Sequence, residues 1–186
     1  VMPRNKRVLT QYVNRVPLFS RYQVEQQVEE IFGRRANLPS GGYILIDPTE
    51  ALISIDVNSG RSTKQKSQEE TALHTNLEAA REVARQLRLR DLGGLVVVDF
   101  IDMPNTKGNK LVEKELKDAL KADKARTYVG RISENGLLEI NRQRIKQALS
   151  LRTHRACPTC DGRGIIASPD FISHALLRTI EAQAAN

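Results

Sequence analysis

The sequence predicts an α/β (α+β) domain, a mixed β-sheet flanked by helices, with a C-terminal zinc-knuckle appendage. Three observations predict it. Short apolar runs of period two are interleaved with segments of helical period. Two of those runs flank one long amphipathic segment, as in a β-α-β unit. The only two cysteines stand after the last strand-like run, in "CPTCDGRG" at 157–164. A chain of 186 residues suffices for one sizeable domain with an appendage. Hydrophobic residues at 40% with aromatics at only 4% make its core aliphatic.

Residues 1–19, polar and broken by Pro3 and Pro17, read as a lead-in. "SRYQVEQQVEEIFGRR", from Ser20, sets Val24, Val28 and Ile31 at helical spacing, with Gly33 near the end. Strands follow at Tyr43–Ile46 and Leu52–Val57, separated by an Asp47-Pro48-Thr49-Glu50 turn. "GRSTKQK" is a polar, basic loop. The segment 67–90 is the clearest helix: Ser67 and Glu70 form a capping box, and Leu73, Leu77, Ala80, Ala84 and Leu87 recur on one face. Glu78/Arg81 and Glu82/Arg85 are placed as ion pairs on its wet face. After Gly93-Gly94, "LVVVDFI" at 95–101 is apolar almost throughout, as in a strand covered on both faces. A second helix is expected at 108–121 with Val112, Leu116 and Leu120 inward, then strands at 126–132 and 137–142 and a last helix from Pro169 to Ala182. The domains follow: lead-in 1–19, α/β subdomain 20–150, zinc link 151–168, and the start of a small domain at 169–186.

The net charge of +7 favours a polyanionic partner. Two cysteines as CxxC argue against a disulfide scaffold and fit a reducing cytosol. No apolar run reaches the length of a membrane span, and the basic opening lacks the apolar stretch of a signal peptide. A first residue Val1 rather than Met suggests a piece of something longer.

The two strands around helix 67–90, if they share a sheet, are parallel and bring their carboxyl ends to one edge, where open α/β sheets tend to place ligands. By alternation Ile53, Ile55 and Val57 face one way, and Asp56 and Asn58 the other. Asp99 interrupts the apolar run at the end of the next strand, and Asp102 would face the opposite way if that strand continued. A carboxylate in such a run needs a cation, a strong donor or exposure. Each aspartate alone reads more readily as the cap of a turn or helix; together with Asn58 at the same sheet edge, a hard-cation site becomes competitive. Magnesium takes one or two carboxylates, and it can activate water and offset charge on a phosphate. The basic loop containing Arg61 and Lys64 lies next to Asp56, where a phosphate backbone would pass.

No rival chemistry assembles: there is no G-x-S-x-G, P-loop or G-x-G-x-x-G, and His74, His154 and His174 are scattered. His154 precedes Cys157 by three residues and is a candidate third ligand. A DnaJ-type zinc repeat needs several such cysteine pairs, and a thioredoxin-like CxxC belongs at an early strand–helix junction. Two thiols leave a tetrahedral zinc site half built.

"VPLFSRYQVEQQVE", "LPSGGYILIDPTEALISIDVNSGRST", "EETALHTNLEAAREVARQLRLRDLGGLVVVDFIDM" and "ACPTCDGRG" resemble the ribonuclease E/G family of bacterial and plastid endoribonucleases, over nearly the whole chain from about Val16. The resemblance implies a DNase I-like or RNase H-like layered domain. It implies that Asp56 and Asp99 hold magnesium, that Asn58 orients Asp99, and that Arg126 contacts RNA. It further implies that Cys157 and Cys160 share one zinc with the same pair of a second chain, giving a homodimer, and a tetramer in full-length members. The activity implied is cleavage of single-stranded RNA in RNA decay and rRNA/tRNA processing, in the cytoplasm or a plastid. A non-catalytic RNA-binding or zinc-mediated dimerisation module is the alternative. Family members carry an OB-type RNA-binding domain and a 5′-monophosphate pocket before the part present here, and a complete small domain after it. The longer ones add a scaffold for an RNA-decay assembly.

Overall fold

The computed structural model describes residues 9–60, 67–145, 155 and 157–184. The chain divides into two compact units, Val1–Arg152 and Thr153–Asn186. In the first, α1 (Leu18–Arg21) and α2 (Val24–Phe32) lead into β1 (Arg35–Asn37), β2 (Tyr43–Pro48) and β3 (Ile53–Asn58). Then come α3 (Gln68–Leu89), β4 (Gly94–Asp99), α4 (Thr106–Leu120), β5 (Thr127–Val129) and β6 (Leu137–Arg142). The second unit holds a cysteine turn and α5 (Pro169–Ala184), none of whose residues is buried. No described helix is long and apolar enough to cross a membrane.

The strands form one six-stranded mixed sheet in the order β1-β2-β3-β4-β6-β5. β3 and β4 are its parallel pair, joined through α3, and the other neighbours are antiparallel. The alternation in β3 is as expected: Ile53, Ile55 and Val57 enter the core. With Ile44, Ile46, Val96, Val98, Leu138 and Ile140 they make the sheet's inner face. Against it pack Ala79, Ala80, Val83, Ala84 and Leu87 of α3 and Val112, Leu116 and Leu120 of α4. The alanines let the α3 backbone come close to the sheet while the aliphatic side chains fill the gaps. The Ser67 side chain accepts from the Glu70 N–H at 3.1 Å, so the predicted cap starts α3 where expected.

Some features differ from expectation: the helix from Ser20 is broken into α1 and α2, β2 runs on through Asp47 and Pro48, and β5 is shorter than 126–132. β4 is covered on one face only: Val96 and Val98 are fully buried, whereas Leu95 is 41% exposed, on the face that also bears Tyr128 and Leu137. β1 was not signalled, because a three-residue edge strand carries too little alternation; its pairing with β2 creates it. On α3, Arg85 pairs with Glu82 as expected, but Arg81 reaches across to Glu115 on α4 at 2.6 Å. Glu78 instead accepts from the Ser40 N–H and faces His74. Packing of α4 beside α3 offered Arg81 a better-placed carboxylate.

At the end of the sheet where β4 begins, the buried Arg142 guanidinium donates to both Asp123 oxygens, at 2.7 and 3.1 Å, and to the Leu92 carbonyl. Both side chains are 3% exposed. Burial pushes the Asp123 carboxyl up, but the Arg142 hydrogen bond, the Ala125 N–H and the charges of Arg142 and Arg88 outweigh it and hold the group below the ordinary carboxylate range. Asp123→Asn is expected to cost on the order of 3 kcal/mol, because it takes the doubly bonded carboxylate from a buried guanidinium and leaves it the Leu92 carbonyl and Asp91 at 3.5 Å. A depressed folded pKa contributes stability that is present above the unfolded value and lost as pH falls through the folded one. The difference in melting temperature between the two chains should therefore be largest at neutral pH and shrink as pH falls through the folded pKa of Asp123, which melting curves at a series of pH values check.

Candidate active site

The parallel β3–β4 ladder sets Asp56, two residues before the end of β3, directly beside Asp99, the last residue of β4. Because Ile55 and Val57 are committed to the core, Asp56 must lie on the outer face, and it is exposed there. Asn58, two residues on, shares that face, and its Nδ2 donates to Asp56 Oδ2 at 2.7 Å. The amide is thus hydrogen-bonded to the first aspartate, its neighbour on the same strand.

Partial loss of hydration, and then the negative charges of Asp56 and Asp102, raise the Asp99 pKa above the ordinary carboxylate value. Asp102 does not face away. β4 ends at Asp99, the Phe100 N–H bonds the Gly136 carbonyl at 3.2 Å, and the chain then leaves the ladder, so strand alternation no longer governs Asp102. Asp102 Oδ1 and Asp99 Oδ1 lie 3.0 and 3.8 Å from the point where a side chain on Gly136 would begin. The residues on this edge are therefore oxygen acceptors of like charge, one of them destabilised as an anion, which is the electrostatic setting a hard cation relieves. Among the described residues no three His, Cys, Asp or Glu side chains converge as a ready-made cage. Two carboxylates are enough for magnesium, which keeps most of its shell as water and substrate oxygens, so Asp56 and Asp99 fit it.

In the second unit, the turn around the cysteines folds locally. The Arg163 N–H bonds the Cys160 carbonyl at 2.8 Å, and the Gly164 N–H reaches Cys160 Sγ at 3.3 Å. Gly162 takes the left-handed φ of 78° that this turn requires. The Thr159 N–H, then the Cys160 N–H and thiol, lower the Cys157 pKa. Both thiols are free, Cys157 exposed and Cys160 partly so. Amide donors aimed at sulfur favour thiolates, the form in which cysteine binds a metal.

A model of the ribonuclease E/G family matches residues 1–145. The chain belongs to that family. It is 53% identical over 173 residues to ribonuclease E of Haemophilus influenzae and 51% identical over 173 residues to ribonuclease E of Escherichia coli K12, matches that cover 93% of this chain. To ribonuclease G of E. coli K12 it is 36% identical over 179 residues, 96% of the chain. These matches span 18% and 16% of the two ribonuclease E proteins and 37% of the ribonuclease G. The chain thus corresponds to a minor part of each relative's length.

Of the other residues singled out in this ribonuclease E/G family member, those described do not sit at the carboxylates. Arg61 and Lys64 lie outside the described residues, as does His154. Arg126 is exposed just before β5, whose Thr127 is level with Arg142 and hence with Gly94 at the start of β4. That is the opposite end of the strand from Asp99. His74 faces Glu78 at 3.6 Å, and His174 is exposed on α5. The sequence reading did not single out Asn76, a polar residue within the apolar stripe of α3, or Gly136. A buried amide among alanines and leucines was the available signal for Asn76.

Proposed function

We propose that this chain is the catalytic core of a magnesium-dependent endoribonuclease that hydrolyses phosphodiesters in single-stranded RNA, in RNA decay and rRNA/tRNA processing. The observation that carries the proposal is the β3–β4 register that pairs Asp56 with Asp99. In this reading the two carboxylates hold the ion, and Asn58, bonded to Asp56 Oδ2, positions Asp99. Magnesium bound there supplies a Lewis acid for a phosphate oxygen and makes an attacking water more acidic. Arg61 and Lys64, in the basic loop after β3, contact the phosphate backbone near the scissile bond. Arg126 lies one residue before the level of Gly94 and two strands away from β4, on the order of 20 Å from Asp99 at the rise and spacing of strands, so it contacts RNA away from the reacting phosphate. Products with 5′-phosphate and 3′-hydroxyl ends follow from the family resemblance.

The cysteine turn supplies two thiolates of a structural zinc site, completed by Cys157 and Cys160 of a second copy in a two-fold dimer. With a cytosolic, reducing setting the thiols stay available for metal.

The test is cleavage of an end-labelled single-stranded oligoribonucleotide with and without magnesium. Magnesium-dependent cleavage by the parent, lost in Asp56→Asn, is the expected result. RNA binding with no cleavage at any magnesium concentration, or equal cleavage by both chains, would overturn it, and binding alone would favour the non-catalytic module.

A further inference from the structure

Asn76 is fully buried on α3, and both ends of its amide are used on one residue. Nδ2 donates to the Ile101 carbonyl at 2.8 Å, and Oδ1 accepts from the Ile101 N–H at 3.0 Å. Ile101 lies two residues beyond Asp99 and one before Asp102, where β4 has ended and no strand neighbour is left to pair the backbone. The side chain thus supplies the bonds that a strand partner would have made. A buried amide is costly unless satisfied, and here the satisfaction is spent on fixing the segment that carries the carboxylates.

The same segment is held from another element. Gly136 has φ +76°, and a Cβ there would stand 3.0 Å from the Phe100 carbonyl oxygen and 3.0 Å from Asp102 Oδ1. Its own carbonyl accepts from the Phe100 N–H. Only a glycine lets the turn before β6 close this tightly on the chain. Asp99 is therefore followed by two consecutive residues whose backbones are bound by different elements, Phe100 by the turn before β6 and Ile101 by α3.

We infer that Asn76 and Gly136 are positioning residues for the metal centre, which clamp the Asp99–Asp102 segment so that the Asp99 carboxylate stays beside Asp56. The inference rests on the reading that Asp99 ligates the ion. Magnesium tolerates little departure from octahedral geometry, and any ion held by so few carboxylates loses affinity when one of them is no longer held in place. Groups that orient metal ligands typically account for about 10–100-fold in affinity.

The experiment titrates manganese into the 186-residue chain, following free manganese by electron paramagnetic resonance, with folding checked by circular dichroism and melting. Five chains are compared: the parent, Asp99→Asn, Asn76→Ala, Gly136→Ala and Val83→Ala. Val83 is a fully buried residue on α3, and its truncation lowers stability without touching the clamp. Asn76→Ser takes the place of Asn76→Ala should the alanine chain not fold. The expected result is a manganese affinity about tenfold or more weaker in the Asn76 and Gly136 variants, with Val83→Ala like the parent. No binding by the parent, or parent-like binding by Asp99→Asn, sinks the metal reading and the clamp with it. Binding that is lost in Asp99→Asn but unchanged in the folded Asn76 and Gly136 variants overturns the clamp alone.

Discussion

An Asp99→Asn chain is expected to melt no lower than the parent at neutral pH, yet to lose metal binding and metal-dependent RNA cleavage by more than about 100-fold. The two halves of this result come from one cause. Burial and the charges of Asp56 and Asp102 raise the Asp99 pKa, so the ionised form is held at a cost to the fold. A carboxyl whose folded pKa lies above its unfolded value weakens the native state at neutral pH, and that weakening is relieved as pH falls through the folded pKa. The neutral amide has the same shape without the charge, so it removes the repulsion together with the ligand. In the parent the same raised pKa makes protons compete with the ion, and metal binding should fade on acidification sooner than at an ordinary aspartate. Calorimetric melting of both chains without metal, beside magnesium titrations across the acid range, checks each half. A large loss of melting temperature in Asp99→Asn would show that Asp99 supports the fold, and would count against its assignment as a ligand.

Removing zinc is expected to convert a dimer into folded monomers. Two thiolates leave a tetrahedral ion open, and in the proposed site two chains would close it. Metal binding and association are then linked, so each strengthens the other. Cys157→Ser should be monomeric and should hold less than one zinc per two chains, with the circular dichroism of the sheet unit retained. Amide donors lower the Cys157 pKa, so protons displace zinc there only at lower pH than at an ordinary thiol. Light scattering with metal analysis on the same samples reads both quantities. A monomer carrying one zinc per chain would overturn the shared site.

Those parts of the molecule that repeat a pattern were legible in the sequence. Ile53, Ile55 and Val57 declared a one-sided strand, the leucines and alanines of α3 declared its buried face, and Ser67 marked its start. The pairing of Asp56 with Asp99 followed from two such patterns joined by one crossover. Illegible features depend on where the chain stops obeying a pattern. Asp102 turns toward the site because the ladder ends at Asp99, and neither that endpoint nor the Gly136 contact is written locally. Glu78 lost its expected partner because α4 brought Glu115 to Arg81. The apolar run of β4 suggested cover on both sides, yet composition does not say whether the covering element belongs to the same 186 residues.

The long α3 crossover also has a kinetic consequence. β3 and β4 pair from Ile53 with Val96 to Asp56 with Asp99, but all of α3 lies between them in the chain. Closing so large a loop spends chain entropy before any strand contact rewards it, so such pairing forms slowly. α3, with its own N-cap, can fluctuate into helix on a sub-microsecond to microsecond scale while the strands are still apart. No partly folded species that lacks the β3–β4 ladder has both aspartates together, so it has nothing for the ion to grip. If the ladder completes after the folding barrier, metal should leave the refolding rate almost unchanged and slow unfolding, since interactions absent from the transition state act on the unfolding limb. The ion would then act as a latch, fastening the carboxylate edge after the sheet has closed.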